Sequence, residues 1–333
     1  MSRISSVRCR AGYAHATRDA DMGMRTVCDV TVIICTHNRM SLLRQALDAL
    51  RAALPPDDLT VDVLIVANAC NESTLRELHD VEAQWAPHSL GLRVLEEPVA
   101  GKSHALNAAL ATPLAEHVCF IDDDQVVAPD YFRALAALIG RNLDYGMYCG
   151  WMLPAWDGSE PSWVHLRDEF RIPVRPFPEY DFGETEMEIT EEMKIPSGGN
   201  IIIRRDVIER TGRFSAELGP TGHNLMGGED IDYIRRALQS GCRLLYVPGL
   251  RQRHLLEPER MTTRYMMRKC FLRSYSSILI HGGAEGVRML PSLLRKGFTY
   301  TLHAAFSTNR DRRFYWLMRL AATAGEMRAQ FGS

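Results

Sequence analysis

Two acidic clusters hold the side chains best suited to chemistry. The apolar run Val118-Cys119-Phe120-Ile121 ends abruptly in Asp122-Asp123-Asp124. A buried strand that delivers charge to the edge of a sheet reads this way. Three adjacent carboxylates repel one another unless a cation neutralises them, and hard oxygen ligands suit Mg2+ or Mn2+. The same residues also read as an acidic turn between that strand and a helix led by Pro129. The second cluster, Glu229-Asp230-Ile231-Asp232, follows Gly227-Gly228 and opens a helix reaching about Gln239. Acids in a first helical turn often do no more than complement the helix dipole.

A repeating pattern must position these clusters. The stretch from Met1 to about Cys28 is polar and unpatterned, and reads as a flexible lead-in. Val30 to Cys35 is a buried-strand run, and helical periodicity then starts at Ser41, a candidate N-cap. Leu42, Leu43, Ala46, Leu47 and Leu50 share one face of that helix. Further strands are expected at Val61–Val66, Leu92–Leu95 and Val118–Ile121, with helices at Ser73–Trp85 and Ser103–Leu110 between them. Strand and helix alternating at this spacing imply right-handed βαβ units and a parallel sheet. Ligands bind at the carboxyl ends of such strands. Thr36-His37-Asn38, Asn68 and Asp122–Asp124 all follow strand ends, so they should converge.

The character changes from Trp151 to Met193, a Pro-rich stretch read as a partly irregular insertion. Its tryptophans, Trp163 among them, could stack on a ring or could anchor a long loop to the core. Ser197-Gly198-Gly199-Asn200 then runs into a strand at Ile201–Ile203, and Leu244–Val247 is a further strand before His254. From about Glu257 the chain is helical, basic and aromatic. Such a tail suits a membrane surface or a partner, and equally suits helices packed back on the core.

The 39 basic and 41 acidic residues leave a formal net charge of -2, with no global pull toward nucleic acid. The 8 cysteines include no CxxC pair, which reads as a reducing, cytoplasmic setting without a zinc site. No apolar run approaches the ~20 residues of a spanning helix. The N-terminal stretch lacks the apolar core of a secretory signal.

Taken in order, these residues resemble the inverting nucleotide-sugar glycosyltransferases of family 2, with the glycosyltransferase-A fold. The carriers are Val32-Ile33-Ile34-Cys35-Thr36-His37-Asn38-Arg39, Asn68 with Asn71-Glu72-x-Thr74, Gly101-Lys102 to Asn107, Asp122–Asp124, Ser197–Asn200 and Gly228-Glu229-Asp230. The resemblance covers roughly Val30 to His254. It implies an α/β fold, Rossmann-like, with a mostly parallel sheet, helices on both faces and a C-terminal helical extension. The expected organisation is a lead-in over 1–28, a catalytic domain over 29–255 and a basic extension over 256–333. The catalytic domain would divide into a nucleotide-binding half, 29–127, and an acceptor half, 128–255.

The resemblance also implies roles. A divalent cation, Mn2+ or Mg2+, would bridge the donor's diphosphate, with Asp124, Asp122 and His254 as its ligands and Asp123 facing the nucleotide. Cys35, Thr36, His37, Arg39 and Asn68 would surround the base, and Lys102 would meet the donor. Many relatives carry Asp where this chain has Ala67 or Asn68; Asn68 can still accept a uracil N–H, so UDP is the expected nucleotide. An inverting transfer is a single displacement that needs one general base. Asp230 occupies the family's position for it, with Glu229 orienting it or binding the acceptor. Gly198 and Gly199 would let backbone approach the sugar, with Asn200 bonding its hydroxyls and Trp163 as a further acceptor or sugar contact. The acceptor would be a glycan, lipid-linked intermediate, peptide or small molecule, and the C-terminal helices are the candidate contact with the inner face of a membrane. Other classes fit less well. A sugar nucleotidyltransferase carries a Gly-rich basic loop after its first strand, and Cys35–Arg39 has no glycine. A dinucleotide dehydrogenase carries GxGxxG there. A non-catalytic binding module would need neither acidic cluster intact.

Overall fold

A computed structural model describes residues 28–85, 90–196, 198–219, 228–281 and 290–331. The lead-in up to residue 27, Ser197 and the Gly-rich stretch 220–227 lie outside the described residues. Strands β1 (Val30–Thr36), β2 (Val61–Asn68), β3 (Leu90–Glu97) and β4 (His117–Ile121) pair in parallel in the order β3-β2-β1-β4. The helices α1 (Met40–Ala52), α2 (Glu72–Gln84) and α3 (Lys102–Leu110) connect them. Beyond β4 the sheet is mixed. β8 (Asn200–Arg204) lies antiparallel between β4 and β6 (Met147–Pro154), and β9 (Leu244–His254) runs parallel to β6. The short strands β5 (Gln125–Val127) and β7 (Met187–Ile189) pair antiparallel with β9. The helices α4 (Tyr131–Gly140), α5 (Arg205–Thr211) and α6 (Glu229–Gln239) complete this part.

The alternation of side chains along β1 feeds two apolar layers. Val30, Val32 and Ile34 pack with Leu43, Leu47 and Leu50 of α1 on one face. Ile33 packs with Leu106 of α3 and Ile234 of α6 on the other. Leu43 is fully buried, and truncating such a residue to Ala costs about 2–5 kcal/mol. The helix starts differ from expectation in an instructive way. α1 begins at Met40 with Arg39 in the cap position, and no side chain caps it. Ser41 is therefore inside the helix, because Arg39 is drawn to carboxylates across the sheet. α2 is conventionally capped: Asn71 Oδ1 accepts the Thr74 N–H at 2.9 Å, so Asn71-Glu72-x-Thr74 works as a helix start.

The chain ends in three helices, α7 (Thr263–His281), α8 (Leu290–Phe306) and α9 (Arg310–Phe331). They do not stand apart from the irregular insertion. Trp163, Ile172 and Phe177 form one apolar cluster with Met266 and Cys270 of α7 and with Phe314 and Met318 of α9. Trp163 stacks on Phe314 with ring centroids 4.4 Å apart. At Gly325 a Cβ would sit 2.2 Å from the Phe271 carbonyl oxygen, so α9 touches α7 backbone to backbone. Among the described residues no helix is long and apolar enough to cross a membrane.

Candidate active site

Because β4 stops at Ile121 and β5 starts at Gln125, the three carboxylates form the corner between two strands, closed by the Gln125 N–H donating to the Asp122 carbonyl at 3.1 Å. The acidic turn therefore exists, but it joins two strands rather than a strand and a helix. Its three side chains fan out to separate cations. Asp122 accepts from Lys102 Nζ at 2.6 Å. Asp123 accepts from Thr36 Oγ1 at 2.7 Å and from Arg39 at 2.6 Å. Asp124 meets Arg39 at 2.9 Å, Arg260 at 3.1 Å and His254 Nε2 at 3.3 Å. Burial alone would raise the Asp124 carboxyl, but His254, Arg260 and Arg39 outweigh it and hold the group well below the usual carboxylate range.

The second cluster approaches from α6. Gly228, at φ +117°, lets the chain turn into the helix. Glu229 is buried at 3% exposure and lies 3.8 Å from Lys102 Nζ. Burial and the Asp230 charge push Glu229 up to about 7, against the pull of Lys102. Lys102 itself is held well above its ordinary value: burial would lower it, and the charges of Asp122, Glu229 and Asp230 prevail. Asp230 faces the cleft, its Oδ2 accepting the Gly198 N–H at 2.7 Å and its Oδ1 the Ile231 N–H at 2.8 Å. Glu229 thus sits behind and Asp230 in front.

The glycine pair serves these carboxylates. A Cβ on Gly198 would lie 2.9 Å from Asp230 Cβ, and one on Gly199 would lie 2.0 Å from Gln125 Nε2 and 2.7 Å from Asp122 Oδ2. Only a bare backbone lets Asp230 and Asp122 close on the same dipeptide. The expected close approach is therefore to protein side chains.

Several candidate residues are occupied otherwise than the sequence implied. Asn200 is 2% exposed, accepting from Tyr131 and Gln252 and donating to the Trp151 and Leu250 carbonyls; it ties β8 to its neighbours and has no group left for a sugar. Trp163 is 5% exposed against Phe314 and does not line the cleft, so its anchoring reading holds. Asn68 donates to the Glu97 and Val99 carbonyls and accepts the Gly101 N–H at 2.8 Å, which staples the loop before α3 and spends the side chain meant for uracil. Arg39 bridges Asp123, Asp124 and Glu257 rather than facing a base. Asp122 is bonded to Lys102 Nζ and Gln125 Nε2, whereas Asp124 is the carboxylate that pairs with His254. Cys35, Thr36 and His37 line the cleft; burial pushes the Cys35 thiol up to about 12. His37 Nδ1 lies 2.7 Å from the Asn68 carbonyl.

Sequence reasoning missed Gln125, Glu257 and Arg260. Glu257 and Arg260 form an ion pair one turn apart at 2.6 Å, and their proximity to His254 in the chain was the available signal. The cleft, lined by Asp122, Asp123, Asp124, Asp230, His254 and Arg260 among others, holds about 750 Å³. The fit of a divalent cation rests on His254. Its Nδ1 bonds the Leu255 carbonyl at 2.8 Å, which places the proton on Nδ1 and turns Nε2 toward Asp124 Oδ1. Among the described residues no group of three or more His, Cys, Asp or Glu converges on one point. A two-ligand pair fits Mg2+ or Mn2+, which complete their shells with substrate phosphates and water.

A family model described as glycosyltransferase-like family 2 matches residues 28–275. A comparison with curated sequences finds no match. The mannosyltransferase PcManGT from Pyrobaculum calidifontis, solved with GDP-Man and Mn2+, aligns with a TM-score of 0.55 at 16% identity, over 93% of this chain and 89% of that one. S. aureus TarS aligns with a TM-score of 0.51 at 17% identity, over 86% of this chain and 47% of that one. A structure of TarS 1-349 gives 0.50 at 15% identity, with 92% of both chains covered. The chain thus spans about half the length of the longer TarS chain. At these identities the likeness establishes the fold, a glycosyltransferase-A sheet followed by C-terminal helices.

Proposed function

The chain belongs to glycosyltransferase family 2 and is a glycosyltransferase that uses a nucleotide-sugar donor; from that premise we propose an inverting single displacement with Asp230 as general base. The observation that carries this reading is the Asp230 carboxylate held at the cleft surface by the Gly198 N–H, with Glu229 and Lys102 behind it. The acceptor hydroxyl or amine would give its proton to Asp230 as it attacks the anomeric carbon. Lys102, fixed between Asp122 and Glu229, keeps a positive charge beside that point and prevents the floor from repelling the donor. Asp124 and His254 would hold the cation, Mn2+ or Mg2+, which when bound stabilises the charge on the departing nucleoside diphosphate. Asp123, locked by Thr36 and Arg39, positions the corner rather than the substrate. UDP remains the proposed nucleotide on the family resemblance, since Asn68 is committed to backbone.

The test is Asp230→Asn assayed for both sugar transfer and nucleotide binding. Retained transfer in a folded variant would exclude this base. A thermal-shift panel of UDP, GDP and dTDP with Mn2+, repeated on Asp124→Ala, checks the donor side; a shift with GDP alone would replace the uridine assignment.

A peripheral membrane contact also belongs to this reading, carried by α8. Leu294, Phe298, Leu302 and Phe306 recur every fourth residue and are 56, 68, 41 and 80% exposed. They form one apolar face on a helix with no acidic residue, flanked by Arg295, Lys296, Arg310, Arg312 and Arg313. That combination matches an anionic bilayer. α9, the other candidate, is packed against α7 and the insertion. Co-sedimentation with phosphatidylglycerol vesicles, lost in Phe298→Ser/Phe306→Ser and weak with phosphatidylcholine, is the expected result; a concentration-dependent dimer without vesicle binding would assign the face to a second copy.

A further inference from the structure

The carboxylate floor accounts for only one side of the cleft. The opposite side comes from the insertion and from α7, and it is lined by Arg171, Arg175, Lys194, Lys269 and Arg273. The acidic residue that lines the cleft among them is Glu179. Its carboxylate lies 3.8 Å from Arg175 and 3.6 Å from Arg167, and its Oε1 accepts no hydrogen bond. Among the described residues, Arg171, Lys194, Lys269 and Arg273 have no carboxylate within ion-pair distance. Backbone holds the two lysines, and Arg171 and Arg273 are exposed. Lys269 donates to the Arg175 and Pro176 carbonyls, both at 2.9 Å, and Lys194 donates to the Glu179 carbonyl. Carbonyls fix an ammonium in position without neutralising it.

These cations feel one another. Burial, with Arg273 and Arg260 pushing the same way, lowers Lys269 to about 7. Burial also lowers Lys194, with Arg171 and Arg175 adding to the effect over the opposing charge of Glu179. The floor differs: each of its three corner carboxylates has a cation within 3.0 Å. A group of cations beside a cleft, its two lysines anchored on backbone carbonyls and four of its members without a paired carboxylate, is an electrostatic complement to an anion.

We propose that the acceptor is anionic, and that its oxyanion group, phosphate or carboxylate, docks on the wall made by Lys269 and Arg273 of α7 with Arg171 of the insertion and Lys194 directly after it. This rests on reading the cleft as the transfer site, and assigns the chemical class of acceptor that the site takes. The donor's diphosphate is served by the floor, where Lys102 and Arg260 already stand among the carboxylates. A neutral acceptor would leave the wall unbalanced.

The experiment titrates inorganic phosphate into the full chain already saturated with UDP and Mg2+, followed by calorimetry. Saturable binding is expected, weakened about 10- to 100-fold by Lys269→Met/Arg273→Glu, with UDP affinity within about 2-fold of the parent. Arg273 is exposed and Lys269→Met keeps the side-chain volume, and Arg273→Glu alone serves if the double variant fails to fold. Phosphate binding that ignores these substitutions, or its absence, would overturn the proposal. Parallel loss of UDP and phosphate would also overturn it, by assigning the wall to the donor. Failure of UDP to bind the parent chain would instead count against the donor site, and phosphate titrated into the nucleotide-free chain and the two variants would then read the wall by itself.

Discussion

The two sides of the cleft are both crowded with charge, yet they are balanced in opposite ways. On the floor, Asp122, Asp123 and Asp124 each meet a cation directly, and the surplus is absorbed by Glu229, raised to about 7 by burial and Asp230. On the wall, the surplus is positive: Glu179 answers Arg175 and Arg167, while burial, with Arg273 and Arg260 adding to it, lowers Lys269 to about 7. The floor is thus a finished electrostatic unit, and the wall is one that awaits a partner. The sheet dictates the first, because strand ends must bring β1, β4 and β9 together. The second is added by segments far apart in the chain.

The comparison breaks first at Asp230. If the floor is the catalytic side, Asp230→Asn should reduce transfer about 10²- to 10⁴-fold while nucleotide binding persists. Next in size is Trp163→Ala, which should cost about 3–5 kcal/mol in urea unfolding by emptying the stack on Phe314. Donor binding should survive that loss, because Trp163 belongs to the wall's support; impaired donor binding at full stability would restore it to the sugar site. Gly199→Ala tests the floor's tightness: the methyl group meets Gln125 and Asp122, and a cost of about 1–3 kcal/mol with lost activity is expected.

The smallest effects separate the sides by pH. Glu229 is raised from 4.5 to about 7. The folded chain therefore keeps a proton that the unfolded chain has released between those values, and stability falls as pH rises through that window. Lys269 is lowered from 10.5 to about 7. Here the folded chain has released a proton that the unfolded chain retains, and stability rises from about pH 7 toward 10.5. Glu229→Gln should flatten the first slope and raise the melting temperature by a few degrees at pH 8, with little change at pH 5. Lys269→Met should flatten the second, with its gain at pH 6 and none near pH 10. Melting curves across pH check both; slopes of the same sign in the two variants would show that the sides are not oppositely balanced.

Much of the floor was legible in the sequence because its signal is local. Val30–Thr36 and His117–Ile121 are apolar runs that end in polar residues, and parallel pairing then leaves few ways to arrange them. The roles of Asn68 and Asn200 were not legible, since a side-chain amide declares its capacity to bond but not its partners. Asn68 is consumed by backbone about 30 residues on, and Asn200 by two carbonyls and the side chains of Tyr131 and Gln252. Arg39 was read as a base contact because its carboxylate partners are more than 80 residues distant. The wall was hidden for the same reason. A Pro-rich insertion and a basic helix each look like solvent-facing surface until Trp163 is placed against Phe314.

That last contact has a consequence for how such an enzyme can be recombined. The insertion and the C-terminal helices share a single apolar cluster although β8, α5, α6 and β9 separate them in sequence. A chimera that transplants either segment alone would split an interface down its middle, exposing Trp163 in one half or Phe314 in the other. Acceptor preference on this scaffold should therefore be exchangeable only as a matched pair of grafts, with the β9 strand and its His254 left in place as the shared frame.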